Sequence, residues 1–203
     1  MAYFIGSIPT AVWVGKWFYG TDVREHGSGN AGTTNTIRVL GPKAGIPVFI
    51  IDVMKGFAAV KMAYLCRSSF GEHNQMFAMF RVILSFMVIL GHVFPVFAGF
   101  RGGKGIATSL GAVLALFAYP AIVSFVVFMI ILLSTNYVSL GSVVVAAIFP
   151  FVCIIIFGNT EYAYVIFSIA VSVFVIVTHR KNINRLISGD ETKFYFKKKE
   201  YLK

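Results

Sequence analysis

The stretch from Thr21 to Arg38 runs Thr-Asp-Val-Arg-Glu-His-Gly-Ser-Gly-Asn-Ala-Gly-Thr-Thr-Asn-Thr-Ile-Arg, a loop dense in small residues and side-chain donors. Gly27 and Gly29 let successive backbone N–H groups converge on one oxyanion, Ser28, Asn30, Thr34 and Asn35 add donors, and Arg38 supplies a planar fork for phosphate. A short helix starting near Thr33 would aim its positive end at the same anion. A second stretch, Phe100-Arg101-Gly102-Gly103-Lys104-Gly105, carries one lysine on a permissive backbone, a second anion contact. A third group, His179, Asn182 and Arg185, falls at three-residue steps on one helical face. Ser139 and Ser142, with Asn136, complete a polar rim. Within an apolar stretch, Asp52 and Lys55 sit three residues apart on one face. At roughly 2.5 to 3.5 kcal/mol each near a bilayer centre, such charges persist when paired or facing a polar cavity, so both a structural pair and a substrate contact are open.

Two literal motif matches fail on context. Gly27 to Gly32 satisfies G-x-G-x-x-G, but a charged stretch precedes it where a dinucleotide fold needs a buried strand. The lysine loop is no Walker A motif, because Ala98 and Gly105 stand where glycine and Ser or Thr are required.

The elements that must hold these residues are set by composition. Of 203 residues 58% are hydrophobic and 13% charged, and the mean hydropathy is +0.80. That excludes an ordinary soluble domain, for which about 25% charged residues is usual. Apolar segments fall near 2–19, 44–66, 76–98, 106–118, 120–134, 139–157 and 161–177, predicting an all-α bundle of seven transmembrane helices. The fourth is short and joined to the fifth through Tyr119 and Pro120, a tight hairpin. One integral-membrane domain is expected over 1–203, with a basic tail from about 178. The N-terminal stretch has Gly6 and Pro9 and no basic flank, so a retained span is expected there.

Lysine and arginine total 18 against 8 acidic residues, a net charge of +10. Arg24, Arg38, Lys43, Arg101, Lys104 and the tail share one side, whereas the other receives Arg67 and Arg81, the latter expected to snorkel. By the positive-inside rule the N-terminus lies outside and the C-terminus in the cytoplasm. Every long polar stretch is then cytoplasmic. Phe194 to Lys203 alternates aromatics with lysines and is expected to lie on anionic lipid. No long wet basic surface remains for nucleic acid. Cys66 and Cys153 fall in separate apolar segments, and no disulfide or metal site is expected.

In order, Gly6-Ser7-Ile8-Pro9, Ser28-Gly29-Asn30 with Gly32, Thr34-Asn35 and Arg38, Asp52 with Lys55-Gly56, Gly91-His92 with Pro95, Gly102-Gly103-Lys104-Gly105, Ser139-Leu140 with Ser142, and His179 with Asn182-Ile183, Arg185-Leu186 and Glu191 resemble the bacterial acyl-phosphate:glycerol-3-phosphate acyltransferases over nearly the whole chain. Asn136 departs from that pattern, standing where a basic residue is frequent. The resemblance implies a seven-helix inner-membrane enzyme that transfers a fatty acyl group from acyl phosphate to the 1-hydroxyl of glycerol 3-phosphate, making lysophosphatidic acid and phosphate. It implies neither acyl-CoA nor acyl carrier protein as direct donor, and no cofactor. Ser28, Lys104 and His179 are then expected as catalytic groups. Gly27, Gly29, Asn30, Thr34, Asn35, Arg38, Asp52, Lys55, Gly102, Gly103, Ser139 and Asn182 are expected to bind substrate. Ser28, Asn30, Thr34 and Asn35 are assigned to the acyl phosphate, and Arg38, Lys104, His179 and Asn182 to glycerol 3-phosphate. The expected partners are these two substrates and membrane lipid, with a monomer compatible. No H-x-x-x-x-D pattern is present, so positioning and charge stabilisation are expected to do the work without a protein nucleophile. The alternative left open is a transporter of phosphate or a phosphorylated metabolite.

Overall fold

The computed structural model describes residues 1–158 and 161–195, and among these every regular element is helical. The first apolar segment is not one helix. Pro9, lacking an N–H, breaks it into α1 (Ala2–Gly6) and α2 (Thr10–Tyr19). The carbonyl of Ile8 at the break accepts a hydrogen bond from Lys55 Nζ at 2.9 Å. The short helix expected near Thr33 is α3 (Thr33–Leu40), and α4 (Pro42–Lys61) follows with a proline in its first turn, where no backbone donor is lost. A 3₁₀ stretch, Met62–Phe70, leads to α5 (Asn74–Val93). Then come α6 (Ile106–Leu116), α7 (Ala118–Thr135), α8 (Val138–Phe151) with a π-helical turn at Val152–Ile156, α9 (Tyr162–Thr178) and α10 (Arg180–Ser188).

Polarity is arranged inside out. Ile50, Met54, Ile83, Ile130, Ile166 and Val173 are exposed, while Asp52, Lys55, Ser85, His92 and Thr108 are buried, as expected of a bundle whose outer solvent is lipid. Three described segments are long and apolar enough to cross a membrane: Asn74–Ala98, Ala118–Thr135 and Val138–Ile156. α9 passes the same test only when counted with α10, from which it is bent by 56°. The other expected spans differ for visible reasons: α1 and α2 are broken, α4 carries charge, and α6 has eleven residues.

Close packing between α4 and α6 rests on two glycines. A Cβ on Gly56 would lie 2.1 Å from the Thr108 carbonyl oxygen, and one on Gly111 would lie 1.9 Å from that of Val53. With no hydrophobic drive between helices in lipid, such close approach supplies the dispersion contact. Pro150 leaves the Ala146 carbonyl without its helical donor, and the Ser172 hydroxyl of α9 takes it. Both devices bring small residues to the centre of the bundle.

Arg81 corrects an expectation. It does not snorkel toward an aqueous face but turns inward, donating to the Ala115 carbonyl at 2.6 Å and the Tyr164 hydroxyl at 2.9 Å. α6 stops short, and its terminal carbonyl has no water to meet, so the guanidinium caps it from α5. Phe117, at the α6–α7 turn, packs with Phe149, Tyr164 and Phe167 into an aromatic plug. The tail is also partly corrected. Phe194 is buried, its N–H donating to the Asn136 carbonyl at 2.7 Å, rather than lying on lipid, and residues 196–203 are outside the described residues. Asn136 closes α7 at φ +61°, a left-handed position that asparagine tolerates and most side chains avoid.

Candidate functional site

At one end of the bundle the first loop, the lysine loop and the α9–α10 joint come together. Asn35 organises the first of these: its Nδ2 donates to the carbonyls of Val23 (2.7 Å) and His26 (3.1 Å), and its Oδ1 accepts from the Ser28 N–H at 2.8 Å. Those three bonds occupy this buried side chain inside the loop. Gly27, Ser28 and Gly29 are left exposed, and Asn30 and Thr34 half-buried, at the start of α3. The Thr33 hydroxyl, one residue before Thr34, is buried without a partner.

Two contacts join this loop to the lysine loop. Arg24 is gripped by Asp22, with nitrogen to oxygen distances of 2.7 to 3.3 Å, and its free edge donates to the carbonyls of Ala98 (2.8 Å) and Arg101 (3.3 Å). The Arg24 guanidinium holds the Asp22 carboxyl well below the usual range against a burial effect of opposite sign. The second contact is at Gly103, whose Cα lies against the Ala31 carbonyl.

Lys104 donates to Asn182 Oδ1 on α10. Burial lowers its pKa to about 8; Glu191 opposes that shift, and the charges of Arg185 and Arg38 add to it. Arg38 is exposed beside it. Asn182 is itself held by Glu191, its Nδ2 donating to Oε1 at 2.6 Å. Ser139 Oγ donates to the same oxygen at 2.7 Å, and Arg185 Nε to Oε2 at 2.8 Å. Burial alone would raise the Glu191 carboxyl, but these three donors, Arg185 foremost, outweigh it and hold it below its ordinary value.

His179 sits past the end of α9, at the joint. The expected continuous stripe of His179, Asn182 and Arg185 is therefore bent by 56°, with Asn182 and Arg185 both turned to Glu191. The His179 ring is buried, and its Nδ1 lies 2.9 Å from the Val175 carbonyl. A carbonyl only accepts, so Nδ1 carries the proton and Nε2 presents a lone pair. Burial, then the Lys104 charge, push its pKa down to about 4.

Beside this group an apolar slot of about 150 Å³ opens between α6, α7, α8 and α9. Ile106, Ser142 and Val175 line its near end, within about a turn of Lys104, Ser139 and His179. Val113, Ala121, Phe149 and Val171 line the far end, next to the aromatic plug. From Ser142 to Phe149 is seven residues of helix, about 10 Å.

Asp52 and Lys55 lie under this surface rather than on it. Asp52 is 1% exposed and accepts from Lys55 Nζ (2.7 Å) and Thr10 Oγ1 (3.0 Å); Lys55 spans to Ile8. The structure thus brings the first loop, Lys104, Ser139, His179 and Asn182 together and places the Asp52–Lys55 pair in the interior. Sequence reasoning passed over Glu191 and Arg24 as site residues. The signals were an acid within a basic tail and an Asp-x-Arg pair opening a glycine-rich loop. Among the described residues no cluster of His, Cys, Asp or Glu is arranged to hold a metal ion.

Residues 1–189 match the family model described as glycerol-3-phosphate acyltransferase. The glycerol-3-phosphate acyltransferase of Fusobacterium nucleatum is 43% identical over 198 residues, covering 97% of this chain and 96% of that one. That of Enterococcus faecalis is 41% identical, covering 97% and 90%. Among solved structures, the crystal structure of PlsY (YgiH), described as an integral membrane glycerol 3-phosphate acyltransferase, in its glycerol 3-phosphate form, is similar with a TM-score of 0.81 and 38% identity, covering 96% of this chain and 92% of that one. Its lysophosphatidic acid form gives 0.79 and 37%, with the same coverage.

Proposed function

The chain belongs to the glycerol-3-phosphate acyltransferase family, and from that premise we propose how it works: it moves a fatty acyl group from an acyl phosphate to the 1-hydroxyl of glycerol 3-phosphate, at the cytoplasmic face of the inner membrane. The observation that carries this is the placement of Lys104, bonded to Asn182 and beside Arg38, Arg185 and His179, at the mouth of a slot with apolar walls. A cationic cradle for a phosphate ester beside a greasy channel is what a water-soluble acceptor and a lipid donor together require. The transporter alternative gives way to the family.

In this proposal the first loop, through the exposed Ser28 and the half-buried Asn30 and Thr34, holds the donor phosphate. Lys104 and Arg38 hold glycerol 3-phosphate, and the acyl chain lies in the slot. The acceptor oxygen attacks the acyl carbonyl carbon; a C–O ester bond forms, and the bond from that carbon to the phosphate oxygen breaks. The proton of the hydroxyl passes to an oxygen of the departing phosphate. His179 is suited to orient that hydroxyl through Nε2 but is a weak proton acceptor with a pKa of about 4, whereas phosphate has a second pKa near 6. Burial and the neighbouring lysine thus favour the substrate as its own base. Loss of activity in His179→Gln, whose amide oxygen can still accept from the hydroxyl but cannot take up its proton, with binding of both substrates unchanged would count against it.

The same reading keeps seven membrane passages, the N-terminus outside and the C-terminus in the cytoplasm, with α1 and α2 forming one broken passage, because the basic loops then share the side that carries the site. The test is donor choice. Purified protein is given radiolabelled glycerol 3-phosphate with hexadecanoyl phosphate, acyl-CoA or acyl carrier protein. Lipid-extractable label and free phosphate are expected with the first alone, and transfer from either of the others would overturn the donor assignment.

A further inference from the structure

The loop that carries Lys104 rests on the end of α5. The Gly102 N–H donates to the Val93 carbonyl (3.2 Å) and the Gly103 N–H to that of His92 (3.3 Å). A Cβ on Gly103 would fall 2.3 Å from His92 Nε2 and 2.8 Å from the Ala31 carbonyl oxygen. Gly103 is therefore pressed between the imidazole below and the first loop on its other side. This is a place where both anion-binding loops and a buried polar side chain meet.

The other edge of the ring faces residues of two further helices. His92 Nδ1 and Thr108 Oγ1 of α6 share a hydrogen bond of 3.1 Å, and Asp52 Oδ1 of α4 lies 3.7 Å from the same nitrogen. Asp52 is in turn tied to Lys55 and to Thr10 of α2, and Lys55 to the Ile8 carbonyl at the α1–α2 break. Burying two full charges is a poor way to gain stability, since the desolvation cost rivals the attraction. Here the pair lies beside the ring, with Asp52 3.7 Å from its nitrogen, and ties α4 to α2 and to the α1–α2 break.

We propose that His92 is a positioning residue: its imidazole, braced by Thr108 and Asp52, sets the height of the Gly102–Gly103 backbone and so the placement of Lys104 toward the acceptor phosphate. This rests on the assignment of glycerol 3-phosphate to Lys104. It also gives Asp52 and Lys55 an indirect role in place of substrate contact.

The test separates placement from folding. Kinetics with both substrates and thermal unfolding in detergent are measured for Thr108→Val, which keeps the shape but loses the hydrogen bond, for His92→Ala, and for Lys104→Gln as a control. Loss of about one hydrogen bond's worth of placement predicts roughly a five- to tenfold higher KM for glycerol 3-phosphate in Thr108→Val, more in His92→Ala, and a KM for acyl phosphate within about twofold of the original. Gly103→Ala is expected to raise the acceptor KM as well. Combined with His92→Ala, the methyl loses its 2.3 Å contact with the ring and keeps only the 2.8 Å one with the Ala31 carbonyl, so the double variant should fall below the product of the single effects. Multiplicative effects, or equal rises in both KM values, or a loss confined to thermal stability, would overturn the proposal. Should His92→Ala not fold, Thr108→Val decides alone. An unchanged acceptor KM in Lys104→Gln would instead refute the site assignment on which it rests.

Discussion

The pH dependence of acceptor use follows from one number. Free lysine titrates at 10.5, and burial, reinforced by Arg185 and Arg38, brings Lys104 to about 8. Only the charged form attracts phosphate, so kcat/KM for glycerol 3-phosphate, which reports the free enzyme, should fall as pH rises through about 8. At pH 9 roughly one lysine in eleven is protonated against ten in eleven at pH 7, a fall of about tenfold. Arginine stays charged throughout this range, so Lys104→Arg should abolish the limb even if its different shape lowers the plateau. Glu191 raises the Lys104 pKa, so Glu191→Gln should move the limb to lower pH. Initial rates at subsaturating acceptor and saturating donor, from pH 6 to 10, read all three. A profile flat to pH 10, or a limb near 8 that survives Lys104→Arg, would show that Lys104 does not hold the phosphate in the manner proposed.

His179 makes an acid-side prediction. Its folded pKa of about 4 lies below the 6.5 of a free histidine, so its neutral form contributes stability that is complete above pH 6.5 and is lost toward pH 4 at up to about 1.4 kcal/mol per unit. Thermal unfolding of His179→Gln should show a shallower fall across that window, and parallel curves would refute the burial. Arg81→Lys keeps the charge but loses the fork that serves the Ala115 carbonyl and Tyr164 together, predicting about 1–3 kcal/mol lower stability by chemical unfolding, with kcat nearly unchanged at low temperature. Val145→Trp should fill the slot and lower transfer from hexadecanoyl phosphate by roughly ten- to a hundredfold while sparing a four-carbon donor. Equal loss with both donors would place the chain elsewhere.

What sequence alone determined about this chain is the part written in local chemistry. Mean hydropathy called for a membrane bundle of helices, and the glycine-rich runs around Ser28 and Lys104 marked two loops between them, because each signal depends on residues within one segment. The helix starting at Thr33 was legible for the same reason. Tertiary structure alone decided the rest. Asp52 and Lys55 at three-residue spacing fit a substrate clamp as well as an internal pair, and only the presence of Thr10, Ile8 and His92 around them seals them inside. Arg81 had as good a claim to an aqueous face until α6 was found to stop beside it with an uncapped carbonyl. Glu191 reaches Ser139 from fifty-two residues away. Such partners carry no sequence period, because hydrogen bonds between distant helices depend on where helices stop and bend, and those stops are set by which carbonyls and charges find partners once the bundle closes.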